Sequence, residues 1–258
     1  MDQGAVRYES ADGIARITFD RPAAHNAMTW AMYEQMVAAC RRIDADPGVR
    51  VAVLRGAGGK AFISGTDIAQ FRAFRSGEDG VAYERRIEPY IAAVESLRVP
   101  TIAVVEGWAI GGGLAIAAVC DLRIATPGTK FGVPIARTLG NCLSTANYVR
   151  LVAALGHART KKMMLLAENV TAEDALAAGF VAEIASAGEI DARVAAMCER
   201  LAGNAPVTMR VTKEALRRVL LAGVPDGEDL VRECYGSDDF HIGVEAFVAK
   251  RAPKWTGR

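Results

Sequence analysis

Two glycine-bearing turns carry residue types that could hold a developing negative charge. One is Phe62-Ile63-Ser64-Gly65-Thr66-Asp67-Ile68; the other is Glu106-Gly107-Trp108-Ala109-Ile110-Gly111-Gly112-Gly113. Each stands where a short apolar run hands over to a segment with helical spacing. The start of a helix leaves its first N–H groups without intrahelical acceptors and gives that end a partial positive charge. Two such ends converging would aim two backbone donors at one oxygen, which is the arrangement of an oxyanion hole. Glycine lets the backbone approach a ligand with no Cβ in the way. The same spacing also suits glycines that let a helix pack closely, and spacing alone leaves both readings open. A third cluster, Gly56-Ala57-Gly58-Gly59-Lys60-Ala61, matches the GxGxxA of dinucleotide-binding turns. That use needs a helix to open inside the motif, whereas Phe62-Ile63-Ser64-Gly65 reads as extended. A loop is expected there, and a nicotinamide oxidoreductase is not.

The elements that must hold these turns alternate between strand and helix in the first half of the chain. Residues 5–9 and 14–20 alternate around Asp12-Gly13, a tight-turn pair, and read as a hairpin. Thr29 is placed to cap a helix through Ile43, stopped by Asp46-Pro47-Gly48. Residues 49–55, 101–105 and 122–125 read as strands, the first two as buried parallel ones. Residues 67–97 are rich in helical spacing, and 114–119 form a small-residue helix after the triple glycine. From Ser144 onward the pattern is almost wholly helical. Thr171-Ala-Glu-Asp174 reads as a capping box for a helix ending at Gly179, and residues 190–202, 206–220 and 239–250 as amphipathic helices. The expectation is an α/β core over residues 1–195 and a helical region over 196–258.

Composition narrows the function classes. The 258 residues are 51% apolar and 24% charged, which argues for a folded chain with a sizeable core. Lys plus Arg is 31 and Asp plus Glu is 30, a net charge of +1 that gives no sign of a nucleic-acid or membrane-surface partner. The five cysteines show no CxxC pair, so no metal site or redox dithiol is expected. The opening MDQGAVRYES lacks the basic and apolar runs of a signal peptide, and the apolar stretch 102–120 is broken by Glu106 and four glycines. A cytoplasmic protein with no membrane span is expected.

In this order and spacing the motifs resemble the crotonase superfamily, the enoyl-CoA hydratase/isomerase family, over nearly the whole chain. They are Asp20-Arg-Pro with Asn26-Ala27, Ala61-Phe62 leading into Gly65-Thr66-Asp67-Ile68, Val99-Pro-Thr-Ile-Ala103, Glu106-Gly-Trp-Ala-Ile-Gly-Gly-Gly113, Cys120-Asp-Leu-Arg-Ile-Ala125, Phe131-Gly132, Ala172-Glu-Asp-Ala-Leu-Ala-Ala-Gly179 and Gly243-Val-Glu-Ala-Phe247 with Lys250-Arg251. The resemblance implies a spiral of ββα units with C-terminal helices that mediate trimer formation, as a homotrimer or a dimer of trimers. It implies a fatty-acyl or related CoA thioester as ligand, with no cofactor beyond the CoA that is part of the substrate. By position, the N–H groups of Thr66 and Gly112 would form the oxyanion hole. Ser64, Gly65, Asp67 and Ile68 would cradle the adenine with backbone near Ala24, and Lys250 would reach CoA phosphates, from its own or a neighbouring subunit. Thr66 stands where the family commonly has a small residue such as alanine, and a backbone donor survives that change.

The resemblance fails at the acid–base positions. Hydration of an enoyl thioester needs groups to move two protons, and the hydratases use two glutamates. Those positions are Ala115 and Ile135 here, and a carboxylate used in dienoyl isomerisation falls at Leu143. Efficient hydration is therefore not expected. The loop from Arg137 to Ser144 would border the acyl pocket, with Asn141 able to orient a water or a carbonyl and Cys142 read as a packing residue. The run Glu84-Arg85-Arg86-Ile87-Glu88 reads as a solvated helix face, with Glu84 or Glu88 as replacement base the other reading. Trp108 is expected beneath the triple-glycine turn. Two functions stand: a lyase or isomerase acting through a thioester enolate, or a non-catalytic acyl-CoA binder.

Overall fold

A hairpin opens the chain. Strands β1 (Ala5–Ala11) and β2 (Ile14–Asp20) pair antiparallel with Ala11 opposite Ile14. The turn residues Asp12 and Gly13 both have positive φ, 53° and 75°, which matches the twist of the flanking strands. The coordinates are a computed structural model that describes residues 3–258; Met1 and Asp2, at the start of the expected core, lie outside them.

Helix α1 (Trp30–Ala45) begins at Thr29, whose hydroxyl accepts from the Met32 N–H. Three ββα repeats follow. The first is β3 (Val51–Gly56), β4 (Ala61–Ile63) and α2 (Gly77–Glu95); the second is β5 (Thr101–Val105), β6 (Trp108–Ile110) and α3 (Gly112–Val119). The third is β7 (Leu122–Ala125), β8 (Lys130–Gly132) and α4 (Ile135–Thr138). Helices α5 (Thr145–Leu155) and α6 (His157–Leu165), strand β9 (Val170–Thr171), helix α7 (Ala172–Ala177) and strand β10 (Glu183–Ile184) complete the core. The first strand of each repeat joins one sheet of order β1-β2-β3-β5-β7-β10, and the second joins another of order β4-β6-β8-β9. The chain is thus a spiral of ββα units with both sheets mostly parallel.

The sequence reading omits β4, β6 and β8. Each has only three residues, too few for a periodic signal, and each exists through its pairing with the next, Ala61 with Trp108 and Trp108 with Lys130. The segment 67–97 divides into a 3-10 turn, Ile68–Ala73, and α2, which Ser76 and Asp79 open as a capping box. Trp108 is 43% exposed on β6 rather than tucked beneath the glycine turn. After Gly58 and Gly59 comes a strand, β4, and not the helix a dinucleotide turn requires.

The larger sheet buries both faces. Ala52, Leu54, Ala103 and Val105 point into the main core, while Val51, Val53, Ile102 and Val104 meet Ile190 and Cys198. Those two belong to α8 (Ile190–Ala202), which runs unbroken across residues 195 and 196. Helix α9 (Pro206–Leu221) buries no residue and is tied down by Lys213, which pairs with Asp121 and donates to Val99 O at 2.8 Å. Helices α10 (Glu228–Tyr235) and α11 (Asp238–Val248) fold back onto the core. Gly80 of α2 makes room for this: a Cβ there would stand 2.4 Å from the Tyr235 Cβ. Tyr235 and Phe240 thereby join Phe71, Phe74 and Tyr83 in one aromatic cluster.

Candidate active site

The triple glycine does two jobs at once. Gly113 packs: a Cβ on it would stand 2.0 Å from the Ile63 carbonyl oxygen, so only glycine lets α3 seat this close to the end of β4. Gly112, the first residue of α3, is brought beside Thr66, whose amide nitrogen lies 3.9 Å from the point a Gly112 Cβ would occupy. The two amide nitrogens are therefore within about 6.5 Å of each other, given the intraresidue N to Cβ span.

Their directions follow from hydrogen bonding. Met28 and Thr66 form an isolated parallel bridge in which the Met28 N–H donates to Gly65 O and the Asp67 N–H donates to Met28 O. In such a bridge the peptide groups flanking Thr66 turn toward Met28, so the N–H of Thr66 itself turns the other way. The Gly112 N–H is one of the orphan donors at a helix start. Neither N–H has an acceptor among the described residues. The sequence reading placed both donors at helix ends. Thr66 instead precedes a 3-10 turn, and the bridge to Met28, not a helix dipole, sets its direction.

Asn26 anchors the outer part of the site. It is fully buried; its side-chain oxygen accepts from the Arg21 N–H, and its Nδ2 donates to Ala57 O at 3.0 Å and Ala61 O at 2.8 Å. This pins the loop carrying Ala24 against β4. The Ser64 N–H donates to His25 O and the Ser64 hydroxyl to Ala24 O. Asp67 pairs with Arg21 at 2.9 Å. Lys250, with φ 52° just past α11, faces the same cavity from its own chain.

Glu84 is the main departure from the sequence reading. It is buried at 8% exposure and lines the cavity, not a solvated face. The Tyr235 hydroxyl donates to its Oε1 and the Ser144 N–H to its Oε2, each at 3.1 Å. Burial pushes its carboxyl up from 4.5 to about 7, against the lowering effect of those two donors and with a further push from the charge of Glu88. Glu88 is committed elsewhere: it pairs at 2.6 Å with the buried Arg150 guanidinium, which also holds Glu95. Asn141 donates through Nδ2 to the Tyr235 hydroxyl at 3.1 Å, and its buried Oδ1 has no partner among the described residues. Cys142 is no nucleophile, because its hydrogen bond with Cys234 and its burial hold the thiol protonated.

One cavity of about 560 Å³ gathers all nine expected positions: Ala24, Ser64, Gly65, Thr66, Asp67, Ile68, Gly112, Asn141 and Lys250. Ala115, Ile135 and Leu143 line it as well, so these three positions present apolar side chains to the cavity. The sequence reading missed Tyr33 and Tyr235, which converge on the site from α1 and α10. Glu84 carried a readable signal, since Val81, Glu84, Ile87, Ile91 and Val94 share one buried helical stripe.

The sequence model of the enoyl-CoA hydratase/isomerase family matches residues 9–258. The chain is 29% identical to a short-chain-enoyl-CoA hydratase of Clostridium acetobutylicum over 255 residues, 97% of each chain. It is 31% identical to an (E)-benzylidenesuccinyl-CoA hydratase of Thauera aromatica over 257 residues, covering 98% of this chain and 99% of the other. Among solved structures it is similar to a methylmalonyl-CoA decarboxylase in complex with 2-nitronate-propionyl-CoA. That likeness has a TM-score of 0.90 at 25% identity and covers 98% of each chain.

Proposed function

The chain belongs to the enoyl-CoA hydratase/isomerase family, and from that premise we propose that it is an enzyme moving a proton at the α-carbon of an acyl-CoA thioester. One observation carries the reading: two unpaired amides and a buried carboxyl poised near neutrality open into the same apolar cavity. The N–H groups of Thr66 and Gly112 take the thioester oxygen. As the α-carbon loses its proton, charge builds on that oxygen, and the donors bind it more strongly than the neutral carbonyl. Glu84 accepts the proton and can return it. Ala24, Ser64, Gly65, Asp67 and Ile68 hold the adenine, Lys250 meets the CoA phosphates, and Asn141 Oδ1 accepts from a water or a substrate donor. CoA is part of the substrate, so no further cofactor enters.

A single carboxyl suits some reactions of an enolate better than others. Hydration needs two placed groups, and the cavity offers Ala115 and Ile135 at the other positions. Isomerisation can use one group that takes a proton and returns it elsewhere. A lyase reaction can generate the enolate by breaking a carbon–carbon bond, leaving Glu84 to protonate it. The decarboxylase among the structural neighbours makes a malonyl-type thioester a fitting probe. We assign the homotrimer contact, alone or in a dimer of trimers, to residues 196–258, where Val211, Leu216 and Val219 of α9 stand exposed. We propose a cytoplasmic location for the protein.

Proton exchange tests the reading without knowing the natural substrate. In D₂O the protein is expected to exchange the α-protons of propionyl-CoA, followed by NMR. Crotonyl-CoA hydration should stay below about 1 s⁻¹, under the range of typical enzymes. Tight thioester binding with no exchange and no turnover of any acyl-CoA would replace this reading with that of a non-catalytic binder. Fast crotonyl-CoA hydration would contradict the assignment of a single acid–base group.

A further inference from the structure

Three hydroxyls form a chain along the wall beside the two amides. Tyr33 Oη and Thr66 Oγ1 lie 2.9 Å apart, and Thr66 Oγ1 and Tyr83 Oη 3.0 Å. All three side chains line the cavity. Three hydroxyl hydrogens serve two hydrogen bonds, and each bond uses one of them. One hydrogen is left over whichever way the chain runs, and none of the three oxygens has another partner among the described residues. Burial raises the Tyr33 phenol to about 12 and that of Tyr83 well above its usual value, so both keep their hydrogens at neutral pH.

The chain ends at the oxyanion niche. The point a Gly112 Cβ would occupy lies 2.8 Å from Tyr33 Oη, 3.4 Å from Thr66 Oγ1 and 3.9 Å from Thr66 N. An amide and two hydroxyls thus crowd one small space that only glycine leaves open. We propose that Tyr33 is a catalytic residue, the third donor to the thioester oxygen beside the N–H groups of Thr66 and Gly112. This rests on the acyl-CoA reading above and deepens it. As charge develops on the oxygen, the spare hydrogen settles at the Tyr33 end: Tyr83 donates to Thr66, Thr66 to Tyr33, and Tyr33 to the enolate oxygen. Each bond polarises the next. The threonine at position 66 gains a purpose here, because an alanine would keep the backbone donor and cut the relay.

Two analogues read the proposal directly: 2-nitronate-propionyl-CoA, which carries an enolate-like negative charge, and neutral propionyl-CoA. The wild type is expected to bind the nitronate more tightly. Tyr33→Phe should lose about 10- to 100-fold of nitronate affinity, as for a hydrogen bond to a charged acceptor, with propionyl-CoA affinity within about threefold of wild type. Tyr83→Phe removes the first bond of the relay but leaves a spare hydrogen at Tyr33, so nitronate affinity should fall by a clearly smaller factor than in Tyr33→Phe. A merely structural role for the tyrosines would weaken both analogues together, or make the two variants alike, and either result overturns the proposal. An undiminished nitronate preference in Tyr33→Phe overturns it alone. A wild type that binds neither analogue overturns the acyl-CoA reading and this inference together.

Discussion

Replacing Glu84 with glutamine is expected to lower α-proton exchange by about 10²- to 10⁴-fold, the range for loss of a general acid–base group, while acyl-CoA affinity changes little. Glutamine keeps the size of the side chain and an oxygen to accept from Tyr235 or Ser144, but it cannot take the proton. In the wild type, exchange should rise with pH through about 7, as the carboxyl becomes the base. The groups acting on it are Tyr235, Ser144 and Glu88, and its own charge in turn pushes up the nearby Tyr33, Tyr83, Cys142, Tyr148, Cys234 and Tyr235. Of these Glu88 bears a full charge, and Arg150 is its partner.

The same substitution has a signature in stability. Folding raises the Glu84 carboxyl from 4.5 to about 7, so the fold favours its protonated form. Stability from this group is fully present below pH 4.5 and is lost as pH rises through about 7. Glu84→Gln carries no such loss. Between about pH 4.5 and 8 its unfolding free energy should improve relative to wild type by roughly 3 kcal/mol, measured by denaturant unfolding at each pH. A pH-independent difference between the two proteins would place Glu84 in water rather than in the cavity wall.

Gly113→Ala is expected to be severely disruptive for the addition of a single methyl group. The new carbon would lie 2.0 Å from the Ile63 carbonyl oxygen and 2.8 Å from Ile63 Cβ, and neither is the free end of a flexible side chain. Helix α3 would have to lift from β4, carrying the Gly112 amide away from Thr66. The cost should reach about 3 kcal/mol or more, with α-proton exchange lost even where the variant remains folded. Gly188→Ala is the control: a Cβ there meets nothing within 4 Å, and its effect should stay within about 0.5 kcal/mol. Wild-type stability and exchange in Gly113→Ala would contradict the close seating of α3.

The order of long elements was legible because hydrophobic period and caps are local. The Asp12-Gly13 turn, the Thr29 cap and the strands at 101–105 and 122–125 all stand where their residues place them. The two glycine turns were legible as a pair through residue type and order. What escaped depends on contacts between distant segments. Strands β4, β6 and β8 are defined by each other. Tyr235 reaches Glu84 across 151 positions, because α10 folds back onto α2. Glu84 looked solvated because Arg85, Arg86 and Glu88 surround it in sequence, yet a helix turns neighbours to different sides. Tyr33 went unnoticed in the sequence, and only the absent side chain of Gly112 shows what its hydroxyl faces.

The carbonyl itself reports most directly on the two amides at positions 66 and 112. An acyl-CoA labelled with ¹³C at the thioester carbon, bound to the protein and observed by difference infrared spectroscopy, isolates that one C=O stretch. Donors converging on its oxygen draw electron density from the double bond, so the band should move to lower frequency on binding, and Tyr33→Phe should recover part of that movement. A bound thioester whose band stays at its position in water, or moves upward as in an apolar solvent, would mean that the amides do not meet the oxygen.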